Sequence, residues 1–365
     1  MTTYSTVHDE IIAEAAPTRL TFDVMTDSPV PVLDMSLLDA GPEAAERFRV
    51  DLRRATHEVG FFSLVGHGIP DDLQERLLET SRAFFALPDE DKLEIENLTS
   101  PHFRGYARLG GELTQGKVDW REQIDIGPGR EPIERGPDDP AYVVLEGPNL
   151  WPSALPGLRT VVEEWSETLT AIGRRLLEAW ADALGAPAES LLDLFADDPQ
   201  THVKIVRYPG VPDDAPSRQG VGKHKDAGVL TLLWIEPGAG GLQVEYEGRW
   251  HDVPPVDGAL IVNIGELLEW ATDGYLRATV HRVIAPAEGT ERISVPLFFN
   301  PALAVQMPRL DIAEEYRSTS RGVEDDPDNV IHGTYGENQL KSRLRAHPDV
   351  AAIHHPELLE QSRQG

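Results

Sequence analysis

The chain of 365 residues contains no cysteine. Disulfides, zinc–thiolate sites, iron–sulfur clusters and cysteine nucleophiles are thereby excluded, so a metal would have to sit on His, Asp, Glu or backbone oxygen. Long apolar runs are missing too: none approaches the ~20 residues that a membrane helix needs. Basic residues are scarce, 33 Lys and Arg against 62 Asp and Glu, for a formal charge of −29. Such a surface repels phosphate backbones and anionic lipid, so neither nucleic acid nor a membrane is an expected partner. The opening stretch MTTYSTVHDEIIAEAAP lacks the basic-then-apolar pattern of a secretory signal. The expected location is cytoplasmic; the oligomeric state is left open.

What is present is ordinary globular composition, 40% hydrophobic and 26% charged, on a chain long enough to bury a sizeable core. Residues 1–30 are expected to form a flexible N-terminal segment. Pro31-Val32-Leu33-Asp34 reads as a short strand. Phe48, Leu52, Ala55 and Val59 then recur at helical spacing after Pro42, until Gly60. Phe61 to Val65 reads as a strand, and Pro70 opens a second helix carrying Leu73, Leu77, Phe84 and Phe85. Residues 87–150 are rich in Pro, Gly and charge and read as mostly loop with short elements.

The spacing of Val161, Trp165, Leu169, Ile172, Leu176, Trp180 and Leu184 predicts a long helix over 158–184, closed by Gly185. Beyond residue 200 the period changes. His202–Tyr208, Val229–Ile235, Leu242–Tyr246, Ala259–Ile264, Val280–Ala285 and Ile293–Asn300 read as six strands separated by Gly, Pro and Asp turns. Helices followed by many short strands point to an α+β chain with a sandwich or barrel at its centre.

His224-Lys225-Asp226 stands at what reads as the start of a strand, where residues i and i+2 share a face. A His-x-acid pair is weak on its own, since the chain has four: His8/Glu10, His224/Asp226, His347/Asp349 and His355/Glu357. Context separates them. His8 lies in the tail, and His347 and His355 are each followed by proline. Only His224/Asp226 leads into the strand series, which later supplies His281. Two histidines and one carboxylate make the facial triad of non-haem iron(II) oxygenases, leaving coordination positions open for reactants. Eleven residues on, Arg292 and Ser294 share a strand face. A guanidinium on an otherwise apolar strand calls for an anion, and the distal carboxylate of 2-oxoglutarate fits that role.

These residues carry a resemblance. The chain is similar to the 2-oxoglutarate/iron(II)-dependent dioxygenase superfamily, in the branch shared with isopenicillin N synthase. The similarity runs from about residue 30 to 305. In the second half it rests on His224-x-Asp226, Gly265-Glu266-Leu267 to Asp273-Gly274, His281-Arg282-Val283 and Arg292-x-Ser294. In the first half it rests on Pro31 to Asp34, Gly60-Phe61-Phe62, His67-Gly68-Ile69, Phe84 to Pro88, Gly105-Tyr106 and Lys117 to Glu122.

The resemblance implies a double-stranded β-helix (jelly roll) core flanked by helices. Its expected divisions are an N-terminal dioxygenase region at 31–150, a supporting helix within 151–190, a catalytic core at 200–305 and a C-terminal extension at 306–365. It implies iron(II) on His224, Asp226 and His281, with 2-oxoglutarate and O₂ as cosubstrates. It also implies a small-molecule substrate that is hydroxylated with release of succinate and CO₂. Arg292, Ser294 and Tyr208 would bind 2-oxoglutarate. One departure bears on the cosubstrate. Many plant members have Asn two residues before the Tyr of their Tyr-Pro motif, whereas this chain has Val206 before Arg207-Tyr208-Pro209. The Arg-Tyr-Pro form resembles isopenicillin N synthase, where Tyr, Arg and Ser hold the substrate's carboxylate and no 2-oxoglutarate is used. An oxidase of that kind and a non-catalytic metal-binding jelly roll both remain alternatives. Arg104, Tyr106 and Trp120 are further candidates for the substrate pocket, and His67, His102, His202, His251 and His332 read as structural.

Overall fold

A computed structural model describes residues 28–187, 189–196, 199–323 and 329–362. The expectation for residues 1–30, and with it His8/Glu10, lies almost wholly outside the described residues.

Fourteen strands are named here in chain order: β1 Val32–Asp34, β2 Phe61–Val65, β3 Gly105–Ala107, β4 Leu113–Thr114, β5 Lys117–Val118, β6 Glu122–Ile126, β7 Gln200–Pro209, β8 Gln219–His224, β9 Leu230–Ile235, β10 Leu242–Tyr246, β11 Arg249–Asp252, β12 Leu260–Ile264, β13 His281–Ile284 and β14 Glu291–Asn300. Eight form one sheet in the order β1-β2-β12-β9-β14-β7-β6-β3, and four form a second, β11-β10-β13-β8. The pair β4/β5 is a small hairpin. Apart from the parallel β1–β2 edge, neighbouring strands run antiparallel. The six expected strands all exist, within two residues of their expected ends.

The region 87–150 holds short elements between loops, among them β6, every residue of which is buried in the large sheet beside β7. Its sequence, Glu-Gln-Ile-Asp-Ile, hides the strand because its polar side chains find buried partners. His224 ends strand β8 instead of starting one, and Asp226 lies two residues beyond it in a turn.

The long helix Gly157–Ala183 packs on the outer face of the large sheet. Trp165 meets Trp234 of β9 edge-on, and Trp180 meets Phe62 of β2. Both tryptophans are fully buried, each burial stabilising by roughly 2–3 kcal/mol. Gly173 lets the helix approach, since a Cβ there would lie 2.6 Å from the Phe299 ring. Gly185, at φ +67°, closes the helix; its N–H donates to the Asp182 carbonyl, and the Ala186 N–H donates to that of Ala181.

Alternation along β14 divides its side chains. Phe299 faces the helix, against Phe195 and Gly173, so Ile293, Val295 and Leu297 share that face. Arg292, Ser294, Pro296, Phe298 and Asn300 point the other way, into the space between the sheets.

Candidate active site

His224, the last residue of β8, pairs in register with His281, the first of β13. Their ring centroids lie 4.2 Å apart. The turn after β8 carries Asp226 to the same point, and it is clamped along its length. The Asp226 carbonyl accepts from the Glu266 N–H at 2.7 Å, and the Gly228 carbonyl accepts from the Leu267 N–H at 3.0 Å. The Val229 N–H donates to Asn300 Oδ1 at 2.7 Å. A Cβ on Gly265 would fall 2.1 Å from the Gly228 carbonyl oxygen, and one on Gly228 would fall 2.1 Å from Asn300 Oδ1. The Gly265-Glu266-Leu267 motif therefore serves as a clamp on the aspartate turn.

Each of the three side chains has its far atom engaged and its near atom free. Nδ1 of His224 lies 2.8 Å from the Gly222 carbonyl, and Nδ1 of His281 lies 3.1 Å from that of Thr279. A carbonyl only accepts, so Nδ1 carries the proton and Nε2 keeps its lone pair. Those Nε2 atoms are 3.6 and 3.8 Å from Asp226 Oδ1. Oδ2 of Asp226 accepts from Thr231 Oγ1 at 2.6 Å and from Asn263 Nδ2 at 2.7 Å. Three ligand atoms thus lie within 4.8 Å of one another. Burial opposes charge on Asp226, but His281 and His224 outweigh it and hold the carboxyl below its ordinary range. Burial, then the neighbouring His224, pushes His281 down to about 4 against the pull of Asp226. At neutral pH the carboxylate is ionised and the His281 ring is neutral, as metal ligation requires. Two imidazoles and one carboxylate fit iron(II).

Gly222 joins this group to the hairpin β4/β5. Its N–H donates to Asp119 Oδ1 at 3.1 Å, and Asp119 Oδ2 accepts from Thr114 Oγ1 at 2.7 Å.

Arg292 pairs across the sheet with Tyr208, and its guanidinium lies 4.8 Å above that ring. Nη1 is 3.4 Å from Ser294 Oγ, while Nε and Nη2 have no hydrogen-bond partner among the described residues. The residue is 2% exposed. Burial lowers its pKa, with Tyr208 opposing the shift. A buried cation with idle N–H groups is costly until an acceptor-rich anion meets it. This orphaned guanidinium fits the carboxylate of 2-oxoglutarate.

Two family models match the chain. One describes the N-terminal region of non-haem dioxygenases in morphine synthesis, at residues 30–154. The other is the 2OG-Fe(II) oxygenase superfamily, at residues 200–301. The chain belongs to the 2-oxoglutarate/iron(II)-dependent oxygenase superfamily. The oxygenase is 38% identical over 357 residues to the 2-oxoglutarate-dependent dioxygenase frbJ of Dothideomycetidae sp. (strain 11243), covering 92% of this chain and 95% of the relative. It is 33% identical over 307 residues to the homoarginine-6-hydroxylase 2-ODD-C23.2 of Arabidopsis thaliana, covering 81% and 84%. A full-length Neurospora crassa protein, solved in complex with alpha-KG and thymine, superposes with a TM-score of 0.67 at 26% identity, covering 89% of this chain and 96% of that one. A putative 2OG-Fe(II) oxygenase family protein from Caulobacter crescentus gives 0.69 at 27% identity, covering 87% and 98%. Iron(II), 2-oxoglutarate and O₂ are therefore the oxygenase's cofactor and cosubstrates, and its core is the expected jelly roll.

A cavity of about 1290 Å³ opens over His224 and Asp226. Phe298 forms part of its lining, and Lys204, His202 and Arg343 lie on its far side. Arg292 instead lines a recess of about 420 Å³ beside the Gly238–Gly241 turn. The six expected site residues thus fall into two groups, the ligand trio and the Arg292/Ser294/Tyr208 cluster. They are linked by β8, because a Cβ on its Gly220 would lie 3.0 Å from the Tyr208 ring.

Arg104, Tyr106 and Trp120 are not among the lining residues of the cavity. Tyr106 donates to Glu122, Arg104 donates to the Leu145 carbonyl, and Trp120 is on the surface. Their neighbours Glu112 and Arg121 line it instead. His202, which the sequence leaves as structural, stands on the wall between Asp125 and Arg343. Glu112, Asp125 and His347 also have a metal-like arrangement. The Lys204 ammonium, 2.7 and 2.9 Å from the Glu112 oxygens and 3.6 Å from Asp125, already fills the role of its cation. Asp349 uses its side chain on the Val350 N–H, and His355 Nε2 meets the Pro101 carbonyl. Neither His347/Asp349 nor His355/Glu357 forms a second triad.

Proposed function

We propose that His224, Asp226 and His281 hold the iron, and that Arg292, Ser294 and Tyr208 hold the carboxylate of 2-oxoglutarate remote from it. The observation that carries this reading is the convergence of three free ligand atoms within 4.8 Å, every remaining atom being fixed by a named partner. With the metal bound, 2-oxoglutarate and O₂ supply the oxidising chemistry, giving succinate and CO₂ and transferring oxygen to a small molecule, which we take to be hydroxylated. The chain's own residues do the positioning. Gly222 and Thr279 orient the imidazoles, Thr231 and Asn263 aim the aspartate, and Phe298 gives the cavity an apolar wall.

Relatives named 2-oxoglutarate-dependent, and a neighbour solved with alpha-KG, favour this reading over an oxidase without that cosubstrate. The functional divisions we adopt are 31–150, 151–190, 200–305 and 306–365, although β1, β2, β3 and β6 from the first share one sheet with strands of the catalytic core. A cytoplasmic setting suits a cysteine-free acidic chain. Among the described residues no helix is long and apolar enough to cross a membrane.

The test is anaerobic titration with iron(II) and 2-oxoglutarate. The wild-type chain should develop a weak visible charge-transfer band, and His224→Ala and His281→Ala should not. An unchanged band in either variant would remove the trio from the metal. Succinate production in air separates the oxygenase from a mere binder.

A further inference from the structure

The far wall of the cavity has a hydrogen-bonding imbalance that its internal contacts leave unresolved. Six charged side chains meet there: Arg121, Lys204 and Arg343 against Glu112, Asp119 and Asp125. All six are buried, and their formal charges balance.

The acceptors are well supplied. Asp125 Oδ1 accepts from Arg343 Nη1 at 2.7 Å and faces His202 Nε2 at 2.8 Å, and its Oδ2 accepts from Gln123 at 2.5 Å. Both Glu112 oxygens accept from Lys204. Asp119 accepts from Thr114, Arg121, Gln219 and the Gly222 N–H.

The donors are not exhausted. A guanidinium has five N–H groups. Arg343 directs Nη1 to Asp125, and its Nη2 lies 2.6 Å from His202 Nε2, which accepts there in the tautomer that does not donate to Asp125; its Nε has no partner among the described residues. Arg121 directs Nη2 to Asp119, and its Nε is likewise unpartnered. Both arginines line the cavity, 4% and 8% exposed. Those two Nε groups are closed off from water, but each guanidinium also keeps Nη hydrogens beyond the contacts just named; a wall whose carboxylates are filled and whose cations keep spare N–H groups selects a ligand that brings acceptors and negative charge.

The register sets the distance to the metal. Thr231, which supports Asp226, pairs with Phe298, and Phe298 pairs with His202 on the next strand. Two strand spacings place His202 about 10 Å from Thr231, with the Phe298 ring between them, 6.0 Å from His202.

Resting on the iron site above, we propose that this wall binds the carboxylate of a small, extended substrate. The apolar middle of that substrate would cross Phe298 and its other end would reach the metal. Arg343 is the specificity-determining residue, with Asp125 and His202 holding its guanidinium and Arg121 elsewhere on the same cavity lining. Arg343 comes from the helix Tyr335–Ala346, beyond the residues matched by either family model.

Hexanoate, hexanamide and hexylammonium are matched probes of this wall, differing mainly in the charge of the head group. Calorimetric titration of the full, metal-free chain should rank hexanoate about ten-fold or more above the other two, the equivalent of one charge-assisted hydrogen bond. This ranking needs no variant. Arg343→Gln should remove the preference, Arg343→Lys should restore part of it, and Arg292→Met should leave it in place. Equal binding of hexanamide, preference for hexylammonium, or no binding of any probe overturns the proposal. So does loss of hexanoate binding on Arg292→Met with none on Arg343→Gln, which would put the carboxylate in the cosubstrate's place. A separate Mn(II) titration of the wild-type chain tests the metal reading on its own, so the two can fail independently.

Discussion

Replacing Arg292 with methionine should separate ligand binding from folding in an unusual direction. Nε and Nη2 of Arg292 lack partners, and the side chain is almost wholly buried. In the ligand-free chain the guanidinium therefore bears a desolvation cost that its contacts with Ser294 and Tyr208 do not offset. Removing one member of a satisfied buried ion pair costs about 3–5 kcal/mol. Here no such pair is broken, so the Arg292→Met chain without ligand should be as stable as wild type or more so. Cosubstrate binding should collapse. Two charge-assisted hydrogen bonds at about 1.5–3 kcal/mol each amount to about 3–6 kcal/mol, or about 10²–10⁴ in affinity. Denaturation with Mn(II), with and without 2-oxoglutarate, reads both effects. At a hundred times its dissociation constant the cosubstrate should stabilise wild type by about 2.7 kcal/mol, and at that concentration it should stabilise the variant by no more than about 0.4 kcal/mol. A variant destabilised by several kcal/mol without ligand would show that the guanidinium already has a structural partner. One that keeps the ligand-induced shift would move the carboxylate site elsewhere.

Two further outcomes follow from the same geometry. Thr231→Val and Asn263→Ala each remove one of the two donors to Asp226 Oδ2, and each should weaken Mn(II) binding, by about 10–100-fold, while leaving His224, Asp226 and His281 in place; unchanged titrations would show that the turn alone aims the carboxylate. Asp125→Asn removes an acid whose carboxyl burial pushes upward, while Lys204 and Arg343 pull it well below its ordinary value. A depressed carboxyl contributes stability above its unfolded pKa of about 3.9 and loses it as pH falls further. The variant should therefore be less stable by about 3–5 kcal/mol at pH 7, with the gap narrowing below about pH 4, and a gap independent of pH in urea melts would contradict the assignment of charge.

The parts of the site that could be read from sequence are those whose chemistry repeats at short, fixed spacing. His224-x-Asp226 and Arg292-x-Ser294 are of this kind, and a strand series carries His281 to the first pair. The spacing misled on one point: it suggested a shared strand face, whereas Lys225 to Gly228 form a turn held by Gly265, Glu266, Leu267 and Asn300. The far wall left no comparable trace. His202 is 77 residues from Asp125 and 141 from Arg343, so no local pattern could join them. Strand β6 was hidden for a related reason: the donors that let Glu122 and Asp125 be buried, Arg207 and Arg343, are distant in sequence. The long helix was readable because its period and its closing glycine are both local.

Gly222 takes part in two tasks at once. Its amide is tethered through Asp119 to the hairpin rimming the cavity, and its carbonyl sets the tilt of the His224 ring. A push on that rim reaches the imidazole through one residue, with no flexible linker to absorb it. Loop grafting at 113–118 is thus constrained as metal-site engineering would be: a hairpin of different length that drags Asp119 will also turn a ligand.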